Sequence, residues 1–331
     1  MSRVLVTGGT GTLGRAFIRR ALKDGRWDHV VAFSRDEVKQ SQLRQEFGKD
    51  GPRLFLGDVR DANRLAMAMR GVDTVIHAAA LKRVDAGSYS PSEMVATNVL
   101  GTMNVVSQAI LNHVKQVVVI SSDKCVAATN LYGASKFMAE CFSVHANAYG
   151  FPSGTKIAAA RYGNVLGSRG SVVGIWRDQV ARGVPLTITD DRMTRFVMTI
   201  EQAVALVLHA LDTMQGGEVF VPLLPSARMV DLALAVVPDS IRSDIYPMVK
   251  DGWRAGGEKL HESLLNEEEP SRTRRYNGCY VVAPSVHEWT ADPQWAGELV
   301  DPSLIYRSDV NDRFLTVDEL RAMLDATEAG R

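Results

Sequence analysis

The chain has 331 residues, and its 38 lysines and arginines balance 38 aspartates and glutamates, so the formal net charge is zero. That length suggests about two domains, and 46% apolar residues with 27 glycines supply material for one large core and a smaller one. Zero charge argues against a nucleic-acid binder, which needs a basic excess to neutralise phosphates.

In chain order, Val4–Val6 is a short apolar strand, too short for the apolar core of a signal peptide. It runs into Thr7-Gly8-Gly9-Thr10-Gly11-Thr12-Leu13-Gly14 and a helical pattern over Leu13–Leu22. Glycines at 8, 11 and 14 between strand and helix let the backbone turn tightly and approach a pyrophosphate on the helix N-terminus. This predicts dinucleotide binding by Thr7, Gly8, Gly11, Thr12, Leu13 and Gly14. The second strand, His29–Phe33, ends in Ser34-Arg35-Asp36, with Lys39 one turn on. An acidic residue alone there would select NAD through its ribose hydroxyl, whereas Ser34, Arg35 and Lys39 suit the extra phosphate of NADP. Arg53–Leu56 and Thr74–Ile76 are further strands, followed by Gly57-Asp58-Val59 and Ala78-Ala79-Ala80. Asp58 and Val59 are expected near the adenine, and Ala78, Ala79 and Ala80 beside the cofactor.

Ser90-Pro91-Ser92-Glu93 predicts a capping box opening a helix over Ser92–Leu111. The strand Gln116–Ile120 then leads into Ser121-Ser122-Asp123-Lys124. Tyr132-Gly133-Ala134-Ser135-Lys136 places a phenol and an ammonium four residues apart, on one helical face. A nearby ammonium lowers a tyrosine's pKa and makes it a usable base for an alcohol proton. After the strand Ile157–Ala160 the alternation breaks near Gly163, although Glu201–Asp212 and Val219–Val221 read as a further helix and strand. Apolar strands separated by helices predict an α/β fold with a doubly wound parallel sheet. Residues 1–163 and 198–222 are assigned to it, and 164–197 with 223–331 to a smaller, interleaved domain. The longest apolar run, Ala203–Leu208, is far short of a membrane-spanning helix. Cys125, Cys141 and Cys279 show no C-x-x-C spacing, which predicts neither disulfide framework nor metal site and suits a reducing cytoplasm.

These motifs together resemble the extended short-chain dehydrogenase/reductases, and within them the inverting UDP-N-acetylglucosamine 4,6-dehydratases. Besides the stretches above, the resemblance is carried by His77-Ala78-Ala79-Ala80-Leu81-Lys82, Thr97-Asn98, Asn130-Leu131-Tyr132-Gly133, Arg161-Tyr162-Gly163-Asn164-Val165 and Met193-Thr194-Arg195-Phe196. Asp123-Lys124 is the most specific element, since retaining sugar dehydratases carry Asp-Glu there.

The resemblance implies a Rossmann-type fold, a tightly bound NADP regenerated in each cycle, a UDP-sugar substrate and a homo-oligomer. It also implies roles for single residues. Tyr132, assisted by Lys136, would take the sugar 4-hydroxyl proton, with Ser122 bonding the oxygen. Lys124 would be the base at C5, provided its surroundings lower its pKa, and Asp123 would protonate the departing 6-hydroxyl. Lys82 and Asn98 would line the cofactor, with Lys82 also reaching substrate. Asn164, Arg195, Arg254 and Glu258 would bind the nucleotide sugar. The substrate-side stretches Cys125–Asn130 and Arg254–Lys259 depart from the family pattern, so the sugar or nucleotide can differ. A 4-epimerase or a 5,6-dehydratase on the same scaffold stays open, as does a non-catalytic NADP sensor, which would not need Ser122, Asp123, Lys124, Tyr132 and Lys136 together. Cys125 and His77 are expected to be packed interior residues, and Glu267-Glu268-Glu269 a solvated acidic stretch.

Overall fold

The computed structural model describes residues 1–168, 170–238, 246–250, 252, 257–286, 289, 295 and 297–329. Its first part runs β1 (Arg3–Thr7), α1 (Thr12–Asp24), β2 (His29–Ser34), α2 (Glu37–Phe47), β3 (Arg53–Leu56), α3 (Ala62–Ala68) and β4 (Thr74–His77). There follow α4 (Val84–Tyr89), α5 (Pro91–Val95), a π-helical turn at Ala96–Leu100, α6 (Gly101–Leu111), β5 (Gln116–Ser122), α7 (Leu131–His145), α8 (Asn147–Gly150) and β6 (Lys156–Tyr162). Later come β7 (Asn164–Val165), α9 (Val172–Ala181), β8 (Leu186–Ile188), β9 (Thr194–Met198), α10 (Ile200–Thr213), β10 (Val219–Pro222), β11 (Ser226–Arg228), α11 (Met229–Val236) and β12 (Met248–Lys250). The chain closes with β13 (Thr273–Tyr276), β14 (Cys279–Val282), β15 (Glu298–Leu299) and α12 (Val317–Ala329).

The expected strands form one parallel sheet in the order β3-β2-β1-β4-β5-β6-β10. Successive strand residues alternate between two apolar faces. Val4, Val6 and Ile120 pack with Phe17 and Ile18 of α1 and Val207 and Leu211 of α10. Leu5, Val117 and Val119 pack on the other face with Leu65 and Met69 beside α3 and Val105 and Val106 of α6. Burial on both faces explains the unbroken Val/Ile/Leu runs. The strand order reverses between β1 and β4, and such a switch point opens a crevice at the strands' carboxyl ends. Thr7 lies beside His77 and His77 beside Val119, so β5 runs three residues past β4, to Ser122.

Three expectations are corrected. Ser90 precedes Pro91 at the helix start, but its side chain makes no cap and Glu93 is bound instead to Arg60 at 2.7 Å. The capping box is formed at α10 by Thr199 and Gln202. The stretch from 223 onward does not stay in the second lobe, because β14, β13 and β15 add to the main sheet antiparallel beyond β10. Asn277-Gly278, both at positive φ, makes the hairpin turn that this dipeptide favours. By length and composition Pro91–Leu111, an unbroken 21-residue helix, could cross a bilayer. Half of its most apolar window is buried in this fold, where α6 contacts α3 and α7.

The second lobe has its own core of Trp176, Leu186, Ile188, Leu232, Leu320 and Leu324. It lies over the crevice through β7 and β9, which pair in a three-stranded sheet with β11.

Candidate active site

The β1–α1 loop is shaped for close approach of a phosphate. Gly8 has φ 66°, and a Cβ there would sit 2.8 Å from the backbone of Ala78 and Ala79. A Cβ on Gly14 would overlap the Gly8 carbonyl oxygen, so α1 can seat against the loop only with glycine there. Gly11 caps α1 without a side-chain bond and no acidic residue occupies the first turn, so neither caps the N–H groups of Thr12, Leu13 and Gly14. Thr7 Oγ1 lies 2.7 Å from His77 Nδ1, and His77 Nε2 lies 2.9 Å from Thr102 Oγ1. Burial, with the nearby Lys136 charge, pushes His77 down to about 3 and keeps it neutral. Thr7 therefore ties β1 to β4, and His77 is the interior residue expected.

At the ends of β2 and β3 the cations are already paired. Lys39 Nζ binds Asp36 at 2.6 Å, while Asp36 caps α2 by accepting from Lys39 N. Arg35, 3.8 Å from Asp58, is the more loosely paired of the expected clamp's two cations, and both are half-exposed. Ser34 Oγ accepts from Gln40 Nε2 at 3.1 Å. Asp58 binds Arg60 at 2.7 Å, and although burial works against its charge this bond holds its carboxyl below the usual range. Val59 is buried beneath the loop, Ala78 and Ala79 are partly buried, and Ala80 and Lys82 are exposed. Partial desolvation lowers the Lys82 ammonium from its ordinary value.

Asn98 does not face the crevice as expected. Its amide brackets the Leu81 backbone, accepting from N at 2.8 Å and donating to O at 2.9 Å, and it also donates to Ser135 Oγ at 3.0 Å. Fully engaged within the π turn, it positions the Ala80–Lys82 segment against α7.

The overhang of β5 presents the catalytic candidates. Ser122 Oγ donates to Asp123 Oδ1 at 2.7 Å, and Lys124 Nζ donates to the same oxygen at 3.0 Å. Lys124 also donates to Asn164 Oδ1 on β7 at 3.2 Å and lies 3.6 Å from Glu262 Oε1. Asp123 is fully buried, and its Oδ2 has no hydrogen-bond partner among the described residues. Asn130 caps α7 by accepting from Gly133 N at 2.9 Å, which fixes the helix start and brings Tyr132 to this cluster.

Two electrostatic expectations fail here. Burial raises the Tyr132 phenol above its ordinary value, with Lys124 only partly opposing it. Its helical partner Lys136 donates to the Ile120 carbonyl, and burial brings it down to about 8. Lys124 was expected to need a lowered pKa to act as a base. Burial does oppose its charge, but Asp123 and Glu262 outweigh burial and raise the ammonium well above the lysine range.

On the substrate side, Arg195 is not a free phosphate reader. It is 2% exposed, donating to the carbonyls of Thr194, Leu260 and Lys259 at 2.7, 3.0 and 3.0 Å and to Glu258 at 2.9 Å. Arg195 and Glu258 thus clamp the segment 257–262 onto β9. Arg254 lies outside the described residues. The sequence reading missed Glu262 and Lys259, whose Nζ bonds Val126 O at 2.6 Å and lies 3.1 Å from Glu262 Oε2. Their spacing of three was the available signal, but their partners lie about 130 residues away.

Beneath the site, Arg161 on β6 joins Glu140 of α7 (2.5 Å) and Glu269 (2.7 Å), all buried. Glu269 therefore does not belong to a solvated acidic stretch, although Glu267 and Glu268 are exposed. Burial, aided by Glu140, pushes the Cys125 thiol up to about 12, making it an unreactive interior residue.

Residues 4–284 match the polysaccharide biosynthesis protein family. The UDP-N-acetylglucosamine 4,6-dehydratase (inverting) of Campylobacter jejuni is 37% identical over 333 aligned positions, which cover 98% of each chain. A UDP-glucose 4-epimerase of Rickettsia conorii is 39% identical over 285, covering 84% of this chain and 82% of that one. Among solved structures, Pen from Bacillus thuringiensis superposes with a TM-score of 0.90 at 33% identity, covering 99% of this chain and 98% of that one. The full-length match, the sheet order and the Ser122–Lys124 cluster agree: the chain belongs to the polysaccharide biosynthesis protein family, with the inverting UDP-N-acetylglucosamine 4,6-dehydratases among its relatives.

Proposed function

We propose that this protein is a nucleotide-sugar 4,6-dehydratase acting on UDP-N-acetylglucosamine or a close relative, with NADP as a resident cofactor. The observation that carries the reading is the pairing of buried Asp123 with partly exposed Lys124 on the β5 overhang, beside Ser122 and Tyr132. The cradle at Gly8 and Gly14, which a Cβ would fill, and glycine at the cap of α1 fit a dinucleotide. Half-exposed Arg35 supports NADP over NAD. Bound there, the cofactor supplies the hydride acceptor and donor.

The protein's own groups handle protons. Tyr132 takes the 4-hydroxyl proton, with Ser122 bonding the same oxygen; the Lys124 cation favours the phenolate. The resulting C4 ketone acidifies the C5 hydrogen. Lys124 begins as an ammonium and Asp123 as its partner. One proton passing along the 3.0 Å hydrogen bond from Nζ to Oδ1 turns the ion pair into an amine and a carboxylic acid, with no change in net charge. These are the base and the acid that elimination requires. Substrate covering the pair favours this form, because neutral groups lose less hydration than ions. Lys124 then removes the C5 proton, and Asp123 protonates the 6-hydroxyl as it leaves as water. The pair returns to its charged form; a cofactor held in the cradle would supply the hydride for C6, and a solvent-derived proton completes C5.

A time course by NMR tests the reading: UDP-N-acetylglucosamine should give a 4-keto-6-deoxy product without added reductant. The epimerase reading, favoured by the Rickettsia relative, predicts instead a C4 epimer that keeps its 6-hydroxyl. A cytoplasmic homo-oligomer is the assembly and location we infer, on the resemblance and the unpaired cysteines.

A further inference from the structure

We propose that Glu262, carried to the crevice by segment 257–262 of the second lobe, is a positioning residue that aims Lys124 and stabilises its ammonium once it holds the C5 proton. The inference rests on the reading of Lys124 as the base. An ammonium has three N–H donors, and Lys124 Nζ faces three oxygens from three parts of the chain. Asp123 Oδ1 on its own turn is at 3.0 Å, Asn164 Oδ1 on β7 at 3.2 Å, and Glu262 Oε1 at 3.6 Å. Two of these come from the second lobe, so Lys124 is oriented between the lobes and not by its own turn alone.

The three oxygens do different things. The Asn164 amide cannot accept a proton. Asp123 is at hydrogen-bond distance and takes the proton that frees the amine. Glu262 lies beyond that distance, so it acts as a fixed charge. Burial opposes that charge, but Lys124, Arg195 and Lys259 outweigh burial and hold its carboxyl below the usual range. Its backbone is fixed as well, since Glu262 N donates to Ser308 Oγ at 3.0 Å and Ser308 N donates to Glu262 O at 2.8 Å. The charged groups facing this ammonium are Asp123, Glu262 and, from β9, Arg195, with the Tyr132 phenol from α7. Arg195 opposes the two carboxylates, and Lys259 neutralises the far oxygen of Glu262. A fixed anion contributes little while Lys124 is an amine and most when it is an ammonium, so it favours transfer of the C5 proton to Nζ and also holds the resting ammonium until Asp123 takes its proton.

The test is a titration of Lys124 in nitrogen-15 lysine-labelled protein, with its Nζ signal assigned by its loss in Lys124→Met. In Glu262→Gln, Lys124 should titrate about 1–3 pH units lower than in the wild type. The alkaline limb of kcat should move down with it, while the KM for UDP-N-acetylglucosamine stays within about twofold. An unmoved titration overturns the proposal, as does a fall in kcat with the limb in place, which is what a merely structural role would give. Should Glu262→Gln not fold, Glu262→Asp withdraws the carboxylate by one methylene. It should give a smaller shift in the same direction, and a wild-type titration there also overturns the proposal. If the wild type does not turn over the nucleotide sugar, the dehydratase reading fails, and the titration, which needs no substrate, still decides the role of Glu262.

Discussion

At the carboxyl ends of β1 and β5 the crevice is lined by a helix start with glycine as its cap and by a buried carboxylate. Gly11 caps α1 without a side chain, and buried Asp123 Oδ2 has no partner among the described residues. Across the crevice, β9 and segment 257–262 match charge with charge: Arg195 with Glu258, and Lys259 with Glu262. A buried polar group without a hydrogen bond is costly, and Glu262 Oε2 is a second such atom beside the crevice, held by the Lys259 charge at 3.1 Å. The difference is one of reach: the β5 turn is held by its own neighbours, whereas segment 257–262 is held to β9 by Arg195 across some 65 residues.

The comparison can be broken at its most buried point. Arg161, between Glu140 and Glu269, belongs to the scaffold. Removing one partner of a buried ion pair costs about 3–5 kcal/mol, so Glu269→Ala should lose roughly that in chemical denaturation while Cys125 gains thiol reactivity. A loss under about 1 kcal/mol would mean that the network is solvated, as for surface pairs. The network also carries a pH signature. Burial opposes the Glu140 charge, but Arg161 overcomes it and holds the folded-state pKa below the ordinary glutamate value. The stability it contributes is therefore present above that ordinary value and is lost as the pH falls through the lowered one.

A smaller effect sharpens the comparison at the cofactor end. Lys39 and Arg35 are both half-exposed, but Arg35 is 3.8 Å from its carboxylate against 2.6 Å for Lys39, so Arg35 has more to gain from the 2′-phosphate. A hydrogen bond to a charged group contributes about 1.5–3 kcal/mol, so Arg35→Ala should weaken NADP by roughly tenfold or more and leave NAD nearly unchanged. Equal losses in a binding titration would remove Arg35 from the assignment.

The local motifs of the candidate site were legible in the sequence and its long-range contacts were not, for a physical reason. The Thr7–Gly14 loop, the Ser122–Lys124 turn and Tyr132 act through local backbone geometry, so contiguous residues carry the signal. Strand limits were legible too, because β1, β2, β4 and β5 are buried on both faces. Arg195 was misread because its partners, the Leu260 and Lys259 carbonyls, lie some 65 residues on. Glu262 was missed because nothing near it in sequence requires a carboxylate. The direction of the Lys124 shift failed for the same reason, since one of the two carboxylates that set it comes from that distant segment.

The central claim is that Asp123 and Lys124 work as one proton-sharing pair in a dehydration. The most direct measurement follows UDP-N-acetylglucosamine by NMR in deuterium oxide with wild-type protein and Lys124→Ala. The wild type should form a 4-keto-6-deoxy sugar carrying deuterium at C5. Lys124→Ala should keep its bound cofactor and lose that exchange by about 10²–10⁴-fold, the range of a positioned base. Deuterium appearing at C5 at the wild-type rate in Lys124→Ala would contradict the account.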